Sequence, residues 1–291
     1  MLLKPKFWDQ KKISLLSLAL TPLTFITILN NWYLKLYSKK KFNIKTVCVG
    51  NIYLGGTGKT PLTIEIYKIL KNLKIKTFLI KKEYIDHRDE QNLLKKNGPL
   101  IANKSRVKAI NSAVNKKYNV AVFDDGLQDK HINYDLKIAC FDKKSFVGNG
   151  KLLPAGPLRQ KLDILKNTDF VFFNGPNKLN LEYKKKIKHI NKKIKIFETY
   201  PKIIQIKKSD LKHQYLIFSG IGNPSNFEYL LKKNNFKIFK TLIFPDHYNY
   251  KTNDIKKIKK IAKKHKLRIL TTEKDYLRIN IRTNFPVLLV G

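Results

Sequence analysis

Apolar residues follow one another along this chain in short continuous runs that alternate with stripes of helical spacing. Strands covered on both faces of a parallel sheet read as continuous apolar runs, so the runs predict buried strands. They lie at residues 45–50, 76–81, 119–124, 136–141 and 169–173. Helical spacing over residues 61–73 and 105–117 separates them. The alternation predicts a mostly parallel sheet with helices on both faces.

A second, smaller α/β rhythm follows towards the C-terminus. A Lys-rich stretch over 180–193 has helical spacing, and strand-like runs at 196–207 and 214–219 could contain a linker. Further apolar segments of the same rhythm occupy residues 227–231, 236–244, 255–261, 267–272 and 287–290. This pattern predicts a second α/β domain after the larger one.

Residues 13–34 contain no charge and are flanked by lysines. Their length approaches the roughly 20 apolar residues that a membrane span requires. Small polar side chains share one face of the predicted helix. They are Ser14, Ser17, Thr21, Thr24 and Asn31. Such a helix suits packing of its polar face on protein while its apolar face meets lipid, and we rank an interfacial anchor above a true span and a core helix.

Composition changes this picture little. Hydrophobic residues make up 43% of the 291 residues, enough for a sizeable core, and the net charge is +39. The charge would suit nucleic acid, but the lysines are spread along the chain and no nucleic-acid motif is present, so no nucleic-acid partner is expected. A basic surface is also attracted to anionic lipid. Cys48 and Cys140 lie within apolar runs, which predicts two reduced core thiols rather than a disulfide.

Candidate chemistry begins directly after the first strand, in residues 51–61 (NIYLGGTGKTP). A strand, a glycine loop, Lys-Thr and a helix are the context of a phosphate-binding P-loop. The loop residues Gly55, Gly56, Thr57 and Gly58 would surround phosphate oxygens with backbone N–H groups. Lys59 would reach the β- and γ-phosphates of ATP, and Thr60 would bind Mg²⁺. Tyr53 stands where the usual pattern has glycine, so the loop is a variant.

A pair of carboxylates, Asp124 and Asp125, ends the strand predicted over 119–124. The carboxyl end of such a strand is where a P-loop fold holds its Mg²⁺. Either aspartate would bind the metal directly or through water. A solvated turn is the alternative, and the preceding P-loop favours the metal site.

These motifs resemble those of the tetraacyldisaccharide 4′-kinases of lipid A synthesis. The stretches that carry the resemblance are VGNIYLGGTGKTP (49–61), DDGLQ (124–128), GNGKLLPAGPLR (148–159), FSGIGNP (218–224), FPDHYNY (244–250) and TTEKD (271–275). They appear in the family's order and cover the chain from about Pro5 onwards. As a set they are highly specific.

The resemblance implies an α/β fold with a P-loop NTPase-like parallel-sheet domain and a smaller α/β domain, joined by a short β linker with the active site in the cleft. We place an N-terminal membrane-associated helix at 1–40, the P-loop kinase domain at 41–200, and the linker strands with the smaller domain at 201–291.

It also implies an activity and a location. The γ-phosphate of Mg-ATP would pass to the 4′-hydroxyl of an acylated glucosamine disaccharide 1-phosphate, giving the bisphosphorylated lipid A precursor. The enzyme would lie at the cytoplasmic face of the bacterial inner membrane, peripheral or monotopic through its N-terminal helix.

Four further residues gain roles from the resemblance. Asp89 and His247 would form the catalytic pair that accepts the hydroxyl proton, since a carboxylate can orient a neutral imidazole. Arg106 would contact the triphosphate, and Arg159 is a second candidate for phosphate. Without the family, each of these side chains would read as a surface charge.

Three departures from the family's pattern bear on the site. Residues 81–84 (KKEY) replace the usual Ser-Arg-Gly-Tyr, and the loop that follows is short. Asp129 replaces a histidine, and Gln160 replaces a glutamate. The first affects acceptor contacts, and the other two affect contacts near the metal or nucleotide.

Two other classes of protein compete with a kinase. A membrane-associated positioning ATPase would share the P-loop, the basic charge and an amphipathic anchor. Its signature lysine is absent, because Leu54 stands there, and it leaves PAGPLR, DHY and TEKD unexplained. A nucleic-acid-binding module has only the net charge in its favour.

Overall fold

The chain folds into two compact units, which we describe separately. The computed structural model describes residues 4–10, 12–84, 88–114, 116–204, 208–279 and 287–290. Residues 4–84 and 94–199 build the larger unit, and the smaller combines residues 88–93 with the described part of 200–291. The sequence-based boundaries place residues 88–93 with the P-loop domain, and the structure groups them with the C-terminal part instead.

A seven-stranded parallel sheet forms the centre of the larger unit, in the order β3-β2-β4-β1-β5-β6-β7. The strands are β1 (Lys45–Gly50), β2 (Thr77–Lys82), β3 (Leu100–Asn103), β4 (Val120–Asp124), β5 (Leu136–Asp142), β6 (Phe170–Asn174) and β7 (Lys195–Thr199). The expected parallel α/β sheet is thus confirmed. The central strands β1 and β4 lie side by side, so Lys59 to Thr60 after β1 and the aspartates that end β4 share one sheet edge.

Two helices, α1 (Leu15–Ala19) and α2 (Thr24–Tyr33), precede β1. The helices α3 (Lys59–Asn72), α4 (Arg88–Asn97), α5 (Arg106–Val114) and α6 (Leu181–Ile190) lie between strands, and α4 begins in the residues grouped with the smaller unit. The sequence predicts a short loop after KKEY, but α4 and β3 occupy that stretch. The prediction missed both elements because α4 is highly polar and β3 has only four residues, all half-buried.

The N-terminal segment is not the single helix predicted over 13–34. It breaks at residues 20–23, where short turns replace the helical bonds: Thr21 N donates to Leu18 O, and Leu23 N donates to Leu20 O. Pro22 explains the break, because it has no N–H to donate and disfavours helical geometry at the residue before it. Within the described residues, no helix has the length and apolarity needed to cross a membrane.

The two N-terminal helices nevertheless keep the predicted division into a polar and an apolar face. Three polar side chains donate hydrogen bonds to carbonyl oxygens of the 148–160 loop. They join Ser17 Oγ to Ala155 O at 2.7 Å, Thr27 Oγ1 to Leu153 O at 2.8 Å, and Asn31 Nδ2 to Arg159 O at 2.9 Å. The opposite face is exposed, up to 86% at Leu15 and 67% at Ile26.

The smaller unit contains a five-stranded sheet in the order β10-β9-β11-β12-β8. All pairings are parallel except that of β12 with β8. Its elements are β8 (Ile203–Ile204), β9 (Gln214–Ser219), α7 (Pro224–Lys233), β10 (Lys237–Ile243), α8 (Thr252–Lys264), β11 (Arg268–Thr272), α9 (Glu273–Tyr276) and β12 (Val287–Val290). The strand-like run at 196–207 therefore divides between β7 and β8, and its residues 205–207 lie outside the described residues.

Both cysteines lie in the core of the larger unit as free thiols, Cys48 on β1 and Cys140 on β5. Their exposed fractions are 0% and 1%. Burial raises the pKa of Cys140 to about 12 and that of Cys48 further, because a thiolate would lose its hydration there.

We expect neither thiol to react with DTNB at pH 8 in the folded protein, because both are buried and protonated. Both should react once urea unfolds the chain, which serves as the control. Stoichiometric labelling of the folded protein within minutes would contradict this placement.

Candidate active site

The predicted phosphate loop connects β1 to α3, and α3 begins at Lys59. Two of its glycines adopt backbone conformations that other residues rarely take, with φ of +144° at Gly55 and +82° at Gly58. A Cβ atom on Gly58 would also lie 2.3 Å from Asn174 Nδ2, so the Asn174 side chain would have to move. The loop ends at the N-terminus of α3, where free N–H groups and the helix dipole favour an anion.

The unusual Tyr53 anchors this loop. It is 2% exposed, its hydroxyl donates a hydrogen bond to the Asp9 carboxylate, and that hydroxyl accepts one from Lys4. Asn51 closes the loop from within, since its Nδ2 donates to Tyr53 O at 2.7 Å and to Thr57 Oγ1 at 2.9 Å. A large side chain in place of glycine thus fastens the loop to the N-terminal segment.

Asp124 ends β4 fully buried, next to the start of α3. Its Oδ2 accepts a hydrogen bond from Thr60 Oγ1 at 3.0 Å, and its Oδ1 accepts one from Thr63 Oγ1 at 3.3 Å. The ammonium of Lys81, at the end of β2, lies 2.5 Å from Oδ2. Sequence analysis assigned Lys81 no role.

Asp125 follows in a left-handed conformation, with φ of +60°. Arg159 binds both its carboxylate oxygens, at 3.3 and 3.2 Å, and Lys59 Nζ lies 3.8 Å from Oδ1. Burial alone would raise the pKa of Asp125, but the charges of Lys59, Arg159 and Lys81 outweigh it and hold the pKa well below the usual range. Asp125 is therefore an anion, as a metal ligand must be.

The donor set at this sheet edge fits Mg²⁺. Thr60 supplies a hydroxyl oxygen, and Asp124 and Asp125 supply carboxylate oxygens, which are the ligands this hard cation prefers. Mg²⁺ usually keeps several waters and takes substrate phosphates besides one or two carboxylates. The described residues contain no cluster of three or more His, Cys, Asp or Glu side chains that could hold a metal.

Arg106 opens α5 and is buried in the same unit. Its Nη2 donates to Asp125 O at 2.5 Å, and its Nη1 donates to Asp129 Oδ2 at 3.3 Å. The aspartate that replaces the family's histidine is thus the counter-ion of Arg106. The other departure, Gln160, donates through Nε2 to Asn31 Oδ1 at 3.4 Å.

The remaining predicted residues form a second cluster in the smaller unit. Asp89, on α4, is 4% exposed, and its Oδ1 lies 3.3 Å from His247 Nδ1. Its Oδ2 accepts two hydrogen bonds from Arg278, at 2.9 Å from Nε and 2.6 Å from Nη2. The structure therefore brings Asp89 and His247 together, and it adds an arginine that sequence analysis did not identify.

His247 is held in an unusual conformation, with φ of +58°, and its backbone N–H donates to Gly220 O at 3.1 Å. Lys274 Nζ lies 3.5 Å from His247 Nε2 and 2.9 Å from Glu90 Oε1. Because an ammonium can only donate, these partners favour the imidazole tautomer with its proton on Nδ1, towards Asp89.

Charge controls the protonation of Asp89. Burial alone would raise the pKa of its carboxyl, but the His247 hydrogen bond and the charges of Lys274 and Arg278 lower it well below the usual range. Asp89 thus stays ionised and can orient the imidazole.

Arg278 also joins Asp89 to a buried aspartate of the TTEKD motif. Its Nη1 donates to Asp275 Oδ1 at 3.0 Å and to Gly220 O at 2.5 Å. Asp275 Oδ1 accepts further hydrogen bonds from Tyr250 and from the backbone of Gly220. A signal for Arg278 existed in the sequence, because it stands three residues after Asp275 on the same turn, but nothing there indicated its partner Asp89.

The chain is similar to known proteins over nearly its whole length. The family model described as tetraacyldisaccharide-1-P 4′-kinase matches residues 12–290. A relative from Pelagibacter ubique (strain HTCC1062), named tetraacyldisaccharide 4′-kinase, is 47% identical over 285 residues, covering 97% of this chain and 90% of its own. A relative of the same name from Rickettsia bellii (strain OSU 85-389) is 31% identical over 307 residues, covering 99% and 93%.

A solved structure has a similar fold. The crystal structure of LpxK from Aquifex aeolicus in complex with ATP superposes with a TM-score of 0.68 at 22% identity. The match covers 95% of this chain and 94% of that one, and it supports the fold throughout.

We expect Arg278→Met to destabilise the smaller unit by about 3–5 kcal/mol, because it leaves the buried carboxylate of Asp89 without its main cation. Hydrogen exchange of the β9 and β11 amides measures this loss. The control is Arg268→Met, which removes an exposed arginine paired with Asp210 and should cost at most about 1 kcal/mol. Adding Asp89→Asn to Arg278→Met should restore part of the loss; strictly additive losses would contradict the pairing.

Proposed function

Because the chain belongs to the tetraacyldisaccharide 4′-kinase family, we propose that it transfers the γ-phosphate of ATP to the 4′-hydroxyl of a tetraacylated glucosamine disaccharide 1-phosphate. The product is the bisphosphorylated lipid A precursor. One observation carries the proposal: Lys59 and Thr60 open α3 beside the side chains of Asp124 and Asp125 at the end of β4. That is the arrangement required to bind a metal-bound triphosphate.

We assign ATP binding to the larger unit. Backbone N–H groups of residues 55–60 and the N-terminus of α3 would bind the phosphates, and Lys59 would neutralise charge on the β- and γ-phosphates. Thr60, Asp124 and Asp125 would hold Mg²⁺, which would offset the negative charge of the phosphates. Arg106 and Arg159 support this site by holding Asp125 in place.

We assign removal of the proton from the 4′-hydroxyl to the smaller unit. With Nδ1–H directed to Asp89, Nε2 of His247 would accept the proton of the 4′-hydroxyl in place of its contact with Lys274, as the hydroxyl oxygen bonds to the γ-phosphorus and ADP leaves. Arg278 occupies Oδ2 of Asp89, so Oδ1 remains for the imidazole. His247 is the base in this proposal, and Asp89 orients it.

The N-terminal helices suit a lipid acceptor. Three of their polar side chains donate hydrogen bonds to the 148–160 loop. The exposed face carries large apolar residues, among them Leu15, Phe25 and Ile26. We therefore propose peripheral attachment at the cytoplasmic face of the inner membrane, helped by the chain's positive charge and without a nucleic-acid partner.

The activity is tested with labelled ATP, the tetraacylated disaccharide 1-phosphate in detergent, and separation of the lipid product. The proposal requires label in the lipid and ATP turnover that depends on the disaccharide. Lys59→Ala should lower the rate by about 10²–10³-fold, whereas Lys68→Ala, at an exposed lysine of the same helix, should not change it. ATP hydrolysis indifferent to the disaccharide would favour a positioning ATPase.

The catalytic pair gives a separate prediction. Asp89→Asn and His247→Ala should each lower kcat by about 10²–10⁴-fold and leave ATP affinity nearly unchanged, because proton removal matters only in the transition state. The double variant should be little worse than the worse single one, since the two residues act as a unit. Multiplicative losses would instead indicate independent roles.

Membrane attachment is best tested by point variants, because deleting residues 1–34 would also remove the hydrogen bonds to the 148–160 loop. We expect the triple variant Leu15→Glu, Phe25→Glu, Ile26→Glu to stop sedimenting with phosphatidylethanolamine–phosphatidylglycerol vesicles. A triple glutamate variant at three other exposed apolar residues is the control. They are Ile69, Leu73 and Leu181. Equal release of both variants would mean that net charge alone attaches the protein.

A further inference from the structure

Lys81 is buried against a predicted metal ligand, Asp124. It occupies the end of β2, directly opposite Asp124 in the parallel register of β2 and β4. The side chains are 4% and 0% exposed, and Nζ lies 2.5 Å from Asp124 Oδ2. A lysine is almost never buried this far unless it is paired.

The carboxylate of Asp124 already has donors from the protein on both oxygens. Thr60 and Lys81 share Oδ2, and Thr63 reaches Oδ1. In this arrangement the ammonium neutralises a carboxylate that water does not reach. The neighbouring carboxylate of Asp125 faces Lys59 and Arg159, so both aspartates already face a cation of the protein without a metal.

We propose that Lys81 is a built-in counter-ion of the metal site, which takes the place of part of the Mg²⁺ charge and competes with Mg²⁺ for Asp124. The inference deepens the proposed function, since it rests on Asp124 facing Mg-ATP. Without Mg²⁺, the ammonium keeps the Asp124 carboxylate from repelling the triphosphate. With Mg²⁺, two cations share one carboxylate, and their repulsion reduces what the metal adds to nucleotide affinity.

The position fits such a role better than a purely structural one. A lysine ammonium is a compact charge on a flexible stem, so it can withdraw from Oδ2 when another cation arrives. Apolar residues in place of both Lys81 and Asp124 would avoid the desolvation cost of two buried charges, so folding alone does not require this pair. Lys81 is the first residue of the KKEY departure, so this balance belongs to this chain's own sequence.

Nucleotide binding tests the proposal without any turnover. The affinity for mant-ATP is measured by fluorescence in excess Mg²⁺ and in EDTA, and the ratio of the two affinities is the readout. In Lys81→Met this ratio should rise at least about fivefold over wild type, because Asp124 then repels the triphosphate in EDTA and binds the metal unopposed. Lys81→Gln, which keeps a hydrogen-bond donor to Asp124, should show the same rise and guards against misfolding of the Met variant.

Two controls separate charge from position. Lys81→Arg retains the cation and should keep the wild-type ratio. Lys82→Met removes the same charge from the next residue, which is more exposed and lies over the Tyr84 ring, and it should also keep the ratio. A ratio unchanged in Lys81→Met and Lys81→Gln, or equal loss of affinity with and without Mg²⁺, would overturn the proposal.

The two proposals fail in different ways. If wild-type protein does not bind mant-ATP under either condition, the assigned nucleotide site is wrong. If it binds mant-ATP and responds to Mg²⁺, but the Lys81 variants respond like wild type, only the counter-ion proposal fails.

Discussion

A buried carboxylate needs a cation beside it, and this constraint organises both units of the chain. Asp124 has Lys81, Asp125 has Arg159 and Lys59, and in the smaller unit Asp89 has Arg278. An unpaired charge at these depths would cost several kcal/mol, so each carboxylate determines which side chain must face it. Each pair holds its carboxylate at a fixed position, where we assign it to a metal or to an imidazole.

The 148–160 loop connects the Asp125 ion pair to the N-terminal helices. Its carbonyl oxygens accept hydrogen bonds from Ser17, Thr27 and Asn31, and its arginine, Arg159, binds the carboxylate of Asp125. Arg159 also donates its backbone N–H to Ile52 O, beside the phosphate loop. One loop thus contacts both the segment with the exposed apolar face and the residues that we assign to ATP binding, within one folded unit.

The high positive charge has two parts with different consequences. Most lysines are exposed and contribute to a basic surface, which the composition alone explains. A few lie buried or half-buried beside carboxylates, and Lys81 and Lys274 each contact residues that we assign to catalysis or metal binding. These contacts, which the sequence does not show, distinguish the two lysines from the many at the surface.

The sequence by itself determined the parallel α/β sheet, the phosphate loop and the aspartates after β4, because each depends on local spacing that periodicity and glycine positions reveal. It indicated Asp89 and His247 only through family resemblance. The pairs that hold the sites were decided by the tertiary structure, since Lys81 and Asp124 are 43 residues apart and Asp89 and Arg278 are 189 apart. Strand register and helix packing bring such residues together, and no local pattern encodes which cation will face which carboxylate.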